Sequence, residues 1–176
     1  AAANPLLEKW VGPYGGLPPF DRVRISDFKP AMEQAMKEHL TEIDAIAKNK
    51  KRPTFENTIV AMEKSGHTLD RVSTVYDIWT SNLSTKELEP IETEIEPLRA
   101  AHGDKITQNA ELFKRIEAVY EGFQKRKPGD PEKARLAWLY YTNFVRSGAK
   151  LQPAQKARLA EINQKLAGLF TRFSQN

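Results

Sequence analysis

The chain has 176 residues, of which 40% are hydrophobic and 28% are charged, and its formal net charge is +4. This length allows one sizeable hydrophobic core, and the composition excludes a disordered chain. Cysteine is absent, which excludes disulfides, thiolate nucleophiles and thiolate metal sites. No apolar run approaches the ~20 residues that a membrane span requires.

Residues 1–25 are expected to be irregular. The stretch 12–19 contains three prolines and three glycines, which favour turns over regular structure. We expect the aromatic side chains of Trp10, Tyr14 and Phe20 to fix this segment to the core.

The first long helix is predicted to begin at Ser26 or Asp27 as N-cap and to end near Asn49, with Pro30 tolerated in its first turn. Its apolar stripe comprises Phe28, Met32, Met36, Leu40, Ile43 and Ala47. Basic residues follow at 48–52, and again at 125–127 after a later helix. Cations suit helix C-termini, and no aromatic residues interleave with them, so the pattern does not favour nucleic-acid binding.

The stretch 53–79 is the most informative part of the chain. Thr54 is predicted to be a helix N-cap, and Phe55, Ile59 and Met62 then share one helical face. Gly66 is expected to kink or break this segment. A second apolar face follows, formed by Leu69, Val72, Val75, Tyr76, Ile78 and Trp79. Two such faces require other helices to cover them.

A further helix is expected after Ser84, which forms a capping-box pattern with Glu87. Its apolar seam consists of Leu88, Ile91, Ile95 and Leu98. Pro90 and Pro97 lie inside this pattern, and each removes an intrahelical hydrogen bond. They therefore predict a break or a kink.

Three more helix boundaries are predicted by local chemistry. Asn109 caps a helix whose apolar face comprises Leu112, Phe113, Ile116, Val119, Tyr120 and Phe123. Asp130 and Pro131 supply an N-cap followed by proline at the first helical position. That helix carries Leu136, Leu139, Tyr140 and Phe144, and Gly148 is its predicted C-terminal glycine.

The last helix is predicted to start near Pro153. Its apolar face comprises Leu159, Ile162, Leu166, Leu169, Phe170 and Phe173. No glycine or proline follows Phe173 to end the helix before Asn176, which favours a chain that is part of a longer protein. We therefore expect Leu166, Phe170 and Phe173 to be poorly covered and to form a self-associating or partner-binding surface.

No stretch alternates with period two for long enough to indicate a strand. The sequence therefore predicts an all-α fold of six or seven helices in a largely antiparallel bundle. We divide it into an irregular segment at 1–25 and one helical domain at 26–176.

The residues alone reveal no catalytic constellation. None of His39, His67 and His102 belongs to a His-Glu-x-x-His motif, and no two of them are spaced four apart on one helix. We interpret His39 and His102 as histidines that flank the core. The carboxylates between Glu87 and Glu96 are interpreted as a solvated acidic face. We therefore predict no catalytic, cofactor-binding or metal-binding residue in this chain.

Four segments nevertheless carry a likeness to a known family. They are Asn4-Pro5-Leu6-Leu7 with Pro18-Pro19-Phe20-Asp21 and Phe28-Lys29-Pro30-Ala31; Pro53-Thr54-Phe55-Glu56-Asn57-Thr58-Ile59 with Ala61-Met62-Glu63; Asn109-Ala110-Glu111-Leu112-Phe113; and Gly148-Ala149-Lys150-Leu151 with Phe173-Ser174-Gln175-Asn176. In this order they resemble the N-terminal region of the thimet-oligopeptidase family of zinc metallopeptidases. The opening segment is nearer to the bacterial peptidyl-dipeptidase branch than to oligopeptidase A.

This resemblance implies a parent enzyme that uses zinc to remove C-terminal dipeptides from short peptides. The family binds zinc through a His-Glu-x-x-His helix and a later glutamate, in a C-terminal half that this chain lacks. The N-terminal region forms a helical wall of a channel that admits unfolded peptides. The implied partners are therefore the catalytic part of the same protein and, in the parent, short peptides.

A different interpretation is a stand-alone helical bundle that binds a protein or a peptide and has no enzyme parent. The sequence is compatible with a cytoplasmic or a periplasmic location.

Overall fold

The computed structural model describes residues 3–83, 85–125 and 129–175. Its α-helices are α1 Ile25–Ala47, α2 Ala61–Glu63, α3 His67–Asn82, α4 Glu89–Thr107, α5 Ala110–Gln124, α6 Pro131–Arg146 and α7 Pro153–Ser174. A π-helical turn, Glu56–Val60, leads directly into α2. Within the described ranges, the β structure is limited to an isolated bridge between Val11 and Leu17. The predicted all-α fold is confirmed. Among the described helices, none has an apolar stretch sufficient for a membrane span.

The chain divides into two compact units. Unit 1 comprises Ala1–His39, Gly66–Ala100 and Gln164–Asn176, and unit 2 comprises Leu40–Ser65 and Ala101–Asn163. Each unit has its own cluster of buried apolar side chains.

The core of unit 1 is built around aromatic side chains of α1 and α3. Phe28 is fully buried, and its ring packs edge-on against the rings of Tyr76 at 5.7 Å and Trp79 at 5.3 Å between centroids. Such T-shaped pairs are the preferred arrangement for aromatic rings. Leu88 and Ile95 of the predicted seam are also fully buried in this core. The stripes that the sequence predicts in these helices therefore meet one another.

The core of unit 2 is built around α5 and α6. Leu112, Phe113 and Ile116 of α5 are buried, together with Ala137 and Phe144 of α6. The rings of Phe113 and Phe144 are stacked with centroids 6.4 Å apart. The apolar face predicted for α5 is thus the face that packs.

Several helix boundaries lie where the sequence predicts them. The Oδ1 atom of Asn109 accepts a hydrogen bond from the backbone N–H of Leu112 at 3.0 Å. Asp130 caps α6 in the same way, with Pro131 at the first helical position. After α6, Gly148 adopts a φ of +91°, and the N–H groups of residues 148 and 149 donate to carbonyls of the last turn. This pattern is a Schellman motif, which favours glycine.

The predicted start of α1 is wrong. The helix begins at Ile25, so neither Ser26 nor Asp27 is its N-cap. Asp27 instead lies in the first turn, and its Oδ2 atom accepts a hydrogen bond from the backbone N–H of Arg24 at 2.8 Å. A carboxylate at this third helical position satisfies the N–H of the residue that precedes the helix.

Of the break or kink predicted at Pro90 and Pro97, the break is wrong, because α4 runs without interruption from Glu89 to Thr107. Pro90 is the second residue of the helix, where its missing N–H costs no hydrogen bond. Pro97 does lie inside the helix, but the neighbouring Ile95 is fully buried in the core of unit 1. The predicted capping box at Ser84 lies outside the described residues.

The aromatic residues of the N-terminal segment do not all behave as expected. Trp10 packs against the core of unit 1. Tyr14 is 97% exposed and Phe20 is 43% exposed, so neither fixes the segment to the core. Tyr14 lies in a short 3₁₀ turn with a φ of +59°, and the buried contact is made instead by Leu6.

Candidate interaction surface

The three histidines occupy different environments. In unit 1, His39 is half-buried beside Gly66, which adopts a φ of +80°, and His67 is exposed. In unit 2, His102 is 8% exposed. Throughout residues 3–83, 85–125 and 129–175, no three His, Asp or Glu side chains are grouped so that they could hold a metal ion. The burial of His39 and His102 agrees with the interpretation that they flank the core.

The acidic side chains of α4 make contacts within unit 1. Glu94 forms an ion pair with Lys29 of α1. Arg99 bridges Glu96, at 3.2 Å, and Asp77 of α3, at 2.9 Å. These groups are partly exposed, so solvent screens each ion pair and its contribution to stability is small. They orient α4 on its neighbours and do not converge on a reactive centre.

The segment before the π turn is held by hydrogen bonds of the side chains of Thr54 and Asn57. The Oγ1 atom of Thr54 accepts a hydrogen bond from the backbone N–H of Asn57 at 3.1 Å. The Oδ1 atom of Asn57 accepts in return from the backbone N–H of Thr54 at 2.9 Å. This is a capping box with asparagine in the place of glutamate or glutamine, and it confirms Thr54 as a cap. The Nδ2 group of Asn57 also donates to the carbonyl of Arg52 at 3.0 Å.

The side chain of Arg115, on α5, holds residues 49–58 through hydrogen bonds. Its side chain is 5% exposed, and its Nη1 donates to the carbonyls of Asn49 at 2.6 Å and Lys51 at 3.1 Å. Its Nη2 donates to Asn57 Oδ1 at 2.8 Å and to Thr58 Oγ1 at 3.4 Å. All four acceptors are neutral, and burial lowers the pKa of Arg115. The guanidinium therefore holds a linker and a turn through hydrogen bonds rather than through an ion pair.

A groove of about 650 Å³ runs beside the same segment within unit 2. The rings of Phe55 and Phe123 meet edge-on in its wall, with centroids 6.0 Å apart. Lys133 Nζ lies 5.3 Å from the centroid of the Phe55 ring and 3.3 Å from Glu56 Oε1. The pKa of Glu56 is lowered, mainly because its carboxylate accepts a hydrogen bond from its own backbone N–H and, to a lesser extent, because of the contact with Lys133. The groove thus joins an aromatic wall to a charged rim, which suits an apolar side chain of a bound segment.

Lys150, in the turn after α6, makes several contacts with α5 and α6. Its ammonium group lies 3.0 Å from Glu117 Oε1 and 2.9 Å from the hydroxyl of Tyr141. It also lies 5.2 Å from the centroid of the Tyr141 ring and 5.8 Å from that of Phe113. The hydrogen bond to Tyr141 and then that to Glu117 raise the pKa of Lys150. This residue therefore ties the turn after α6 to α5.

The C-terminal part of α7 presents an uncovered apolar face. Leu166 is 44% exposed, Leu169 52%, Phe170 67% and Phe173 79%. The other side of the helix is anchored in unit 1, where Thr171 is 9% exposed. We call these four exposed residues the α7 face, and they include the three that the sequence predicts to be poorly covered.

The end of α7 is tied to the start of α4. The Nε2 group of Gln175 donates to the carbonyl of Glu89 at 2.9 Å and to Glu92 Oε2 at 3.0 Å. Local sequence patterns do not predict this contact or the contacts of Arg115. The available signal for Arg115 was its position between Leu112 and Ile116, because a basic residue on an apolar face must find buried acceptors.

Two curated proteins are similar to nearly the whole of this chain. The dipeptidyl carboxypeptidase of Salmonella typhimurium is 34% identical over 175 residues, which is 99% of this chain and 25% of that protein. The dipeptidyl carboxypeptidase of Escherichia coli is 36% identical over 173 residues, which is 98% of this chain and 25% of that protein. No family model matches the chain. The predicted resemblance is confirmed, and the chain spans about a quarter of the length of the curated relatives it matches.

Proposed function

We propose that this chain is the N-terminal helical region of a peptidyl-dipeptidase. It matches about a quarter of the length of two bacterial dipeptidyl carboxypeptidases. The observation that carries this proposal is 34–36% identity across 98–99% of the chain. The whole protein would then remove C-terminal dipeptides from short peptides.

In this proposal the chain is one wall of the channel that admits the peptide. The parent enzyme uses zinc, which polarises the scissile carbonyl and activates a water molecule when bound. Its ligands would come from the catalytic part of the same protein, since the present sequence contains no His-Glu-x-x-His motif. Short peptides and that catalytic part are the proposed partners.

The contacts of Arg115 and Lys150 support a scaffold role. Arg115 fixes the linker at 49–58, and Lys150 fixes the turn after α6. The charged side chains of both residues restrain irregular backbone through hydrogen bonds. Without such restraints, a wall of helices would deform first at these irregular segments. Both residues lie in or contact the segments that resemble the family.

The test compares the isolated chain with the full-length protein that contains it. Each is incubated with zinc and a short N-blocked peptide, and released dipeptides are measured by mass spectrometry. We expect release by the full-length protein and none by the isolated chain. Chelator-sensitive release by the isolated chain would show that it carries the chemistry itself, and a full-length protein without dipeptide release would refute the proposed activity.

A stand-alone peptide-binding module is the second candidate, and the groove beside Phe55 and Phe123 favours it. The coding sequence after Asn176 discriminates between the two functions. A stop codon there supports the module, whereas a downstream His-Glu-x-x-His motif supports the peptidase.

A further inference from the structure

We infer that the α7 face is the surface on which the remaining part of the same protein docks. This inference rests on the proposed function, and it specifies where on the chain the catalytic part would be held.

The α7 face is highly exposed. Phe170 and Phe173 are 67% and 79% exposed, and both lie within one helical turn of each other beside Leu166 and Leu169. Soluble proteins rarely expose contiguous groups of large apolar side chains unless these form an interaction site. Aromatic side chains are also the residue type most enriched at the centres of interfaces.

The orientation of the α7 face is fixed. Thr171 is buried, and helix geometry places it on the side of α7 opposite to Phe173. Gln175 holds the end of the helix through the carbonyl of Glu89 and the carboxylate of Glu92. The helix therefore cannot rotate its apolar side chains inward without breaking these contacts.

The remaining part of the same protein fits the α7 face better than a second copy does. The two relatives match this chain over 25% of their length, so three quarters of each lies outside the matched region. Between 164 and 174, α7 carries the cations Lys165 and Arg172 and no acidic residue. A second copy would place like charges around the same apolar contact, which is unfavourable. A different surface of the same protein, apolar with an acidic rim, fits better.

The experiment uses two matched substitutions in the isolated chain. Leu169→Asp changes the α7 face, and Leu83→Asp changes a leucine of the same 52% exposure in unit 1 outside that face. The rest of the protein is expressed as a separate chain, and association is measured by calorimetry together with recovery of dipeptide release. We expect the chain and Leu83→Asp to bind alike, and Leu169→Asp to bind at least about tenfold more weakly.

The outcomes separate the docking surface from the proposed function. Equal binding of both variants would overturn the docking surface and leave the peptidase assignment intact. A full-length protein without dipeptide release would overturn the peptidase assignment and, with it, this inference.

A second measurement does not depend on separate expression. Hydroxyl-radical labelling of Phe170 and Phe173 is compared between the isolated chain and the full-length protein. Strong protection in the full-length protein supports docking, and unchanged labelling overturns it. Protection that appears only in the isolated chain and rises with its concentration would identify a second copy as the occupant, which also overturns the inference.

Discussion

Replacing Arg115 by methionine should destabilise unit 2 substantially. Methionine keeps most of the apolar volume of the side chain but removes the guanidinium, which donates to Asn49, Lys51, Asn57 and Thr58. The substitution therefore isolates the hydrogen bonds from the packing.

The magnitude follows from the two shortest contacts, 2.6 Å to the carbonyl of Asn49 and 2.8 Å to Asn57 Oδ1. Hydrogen bonds from a charged donor contribute about 1.5–3 kcal/mol each. The desolvation that lowers the pKa of Arg115 opposes them. Water can also reach part of the freed linker, because Lys51 is exposed. We therefore expect a loss of about 3 kcal/mol, which is less than the sum of the contacts.

Urea unfolding followed by circular dichroism measures this loss. With an m-value of about 2 kcal/mol/M, the midpoint should fall by about 1.5 M. Arg158→Met is the matched control, because Arg158 is 71% exposed in the same unit and should change stability by less than about 0.5 kcal/mol. Hydrogen exchange should accelerate in residues 49–58 of the Arg115 variant alone.

Two results would refute this reasoning. If Arg115→Met lowers the urea midpoint no more than Arg158→Met does, the hydrogen bonds of Arg115 only balance the cost of burying its charge. If exchange at 49–58 is unchanged, the linker is held by other contacts.

Three further predictions concern other contacts. Burial, with the hydrogen bond to Glu63, raises the pKa of Tyr140 above its ordinary value of 10.0, so the folded chain keeps a proton that the unfolded chain loses. Stability should therefore fall as pH rises above about 10, by up to about 1.4 kcal/mol per pH unit and by less where solvent screens the group. Urea unfolding between pH 8 and 11 should show a flatter dependence of stability on pH for Tyr140→Phe than for the unchanged chain. Equal slopes for the two proteins would contradict this prediction. Gly148→Ala should lower the free energy of unfolding by about 1–2 kcal/mol, because the φ of Gly148 is +91° and a Cβ would lie 2.7 Å from Leu159 Cδ2. Gly122→Ala is the matched control, because a Cβ there would have no atom within 4 Å, and it should raise the free energy of unfolding by up to about 1 kcal/mol. The melting temperatures of the two variants should therefore shift in opposite directions, and shifts in the same direction would count against this prediction. Gln175→Ala should accelerate amide exchange in the last turns of α7, and unchanged exchange would show that its contacts with α4 do not hold the helix.

Local chemistry was sufficient to predict many of the helix boundaries. Thr54, Asn109, Asp130 and Gly148 each act through backbone groups within a few residues, so their roles are encoded in short patterns. Asp27 was misplaced because a carboxylate can serve as a cap or at the third position of the first turn, and the pattern alone does not distinguish these.

Contacts between distant parts of the chain were not predictable in this way. The acceptors of Arg115 are 57–66 residues away in the sequence, so no local pattern pairs them. Pro97 was expected to break or kink α4, but the helix continues through it, because its tendency to end a helix is overridden by the packing around Ile95. The exposure of Tyr14 and Phe20 shows the converse, since hydrophobicity without a partner does not produce burial.

The contacts of Gln175 with α4 also affect the thermodynamics of any association at the end of α7. A terminal helix that frays in solution must be ordered before a partner can use it, and the lost conformational entropy weakens binding. Here the last turn is already held by an amide bridge to Glu89 and Glu92. Its aromatic side chains are consequently preorganised for contact, and little further ordering of the backbone is required when a partner arrives.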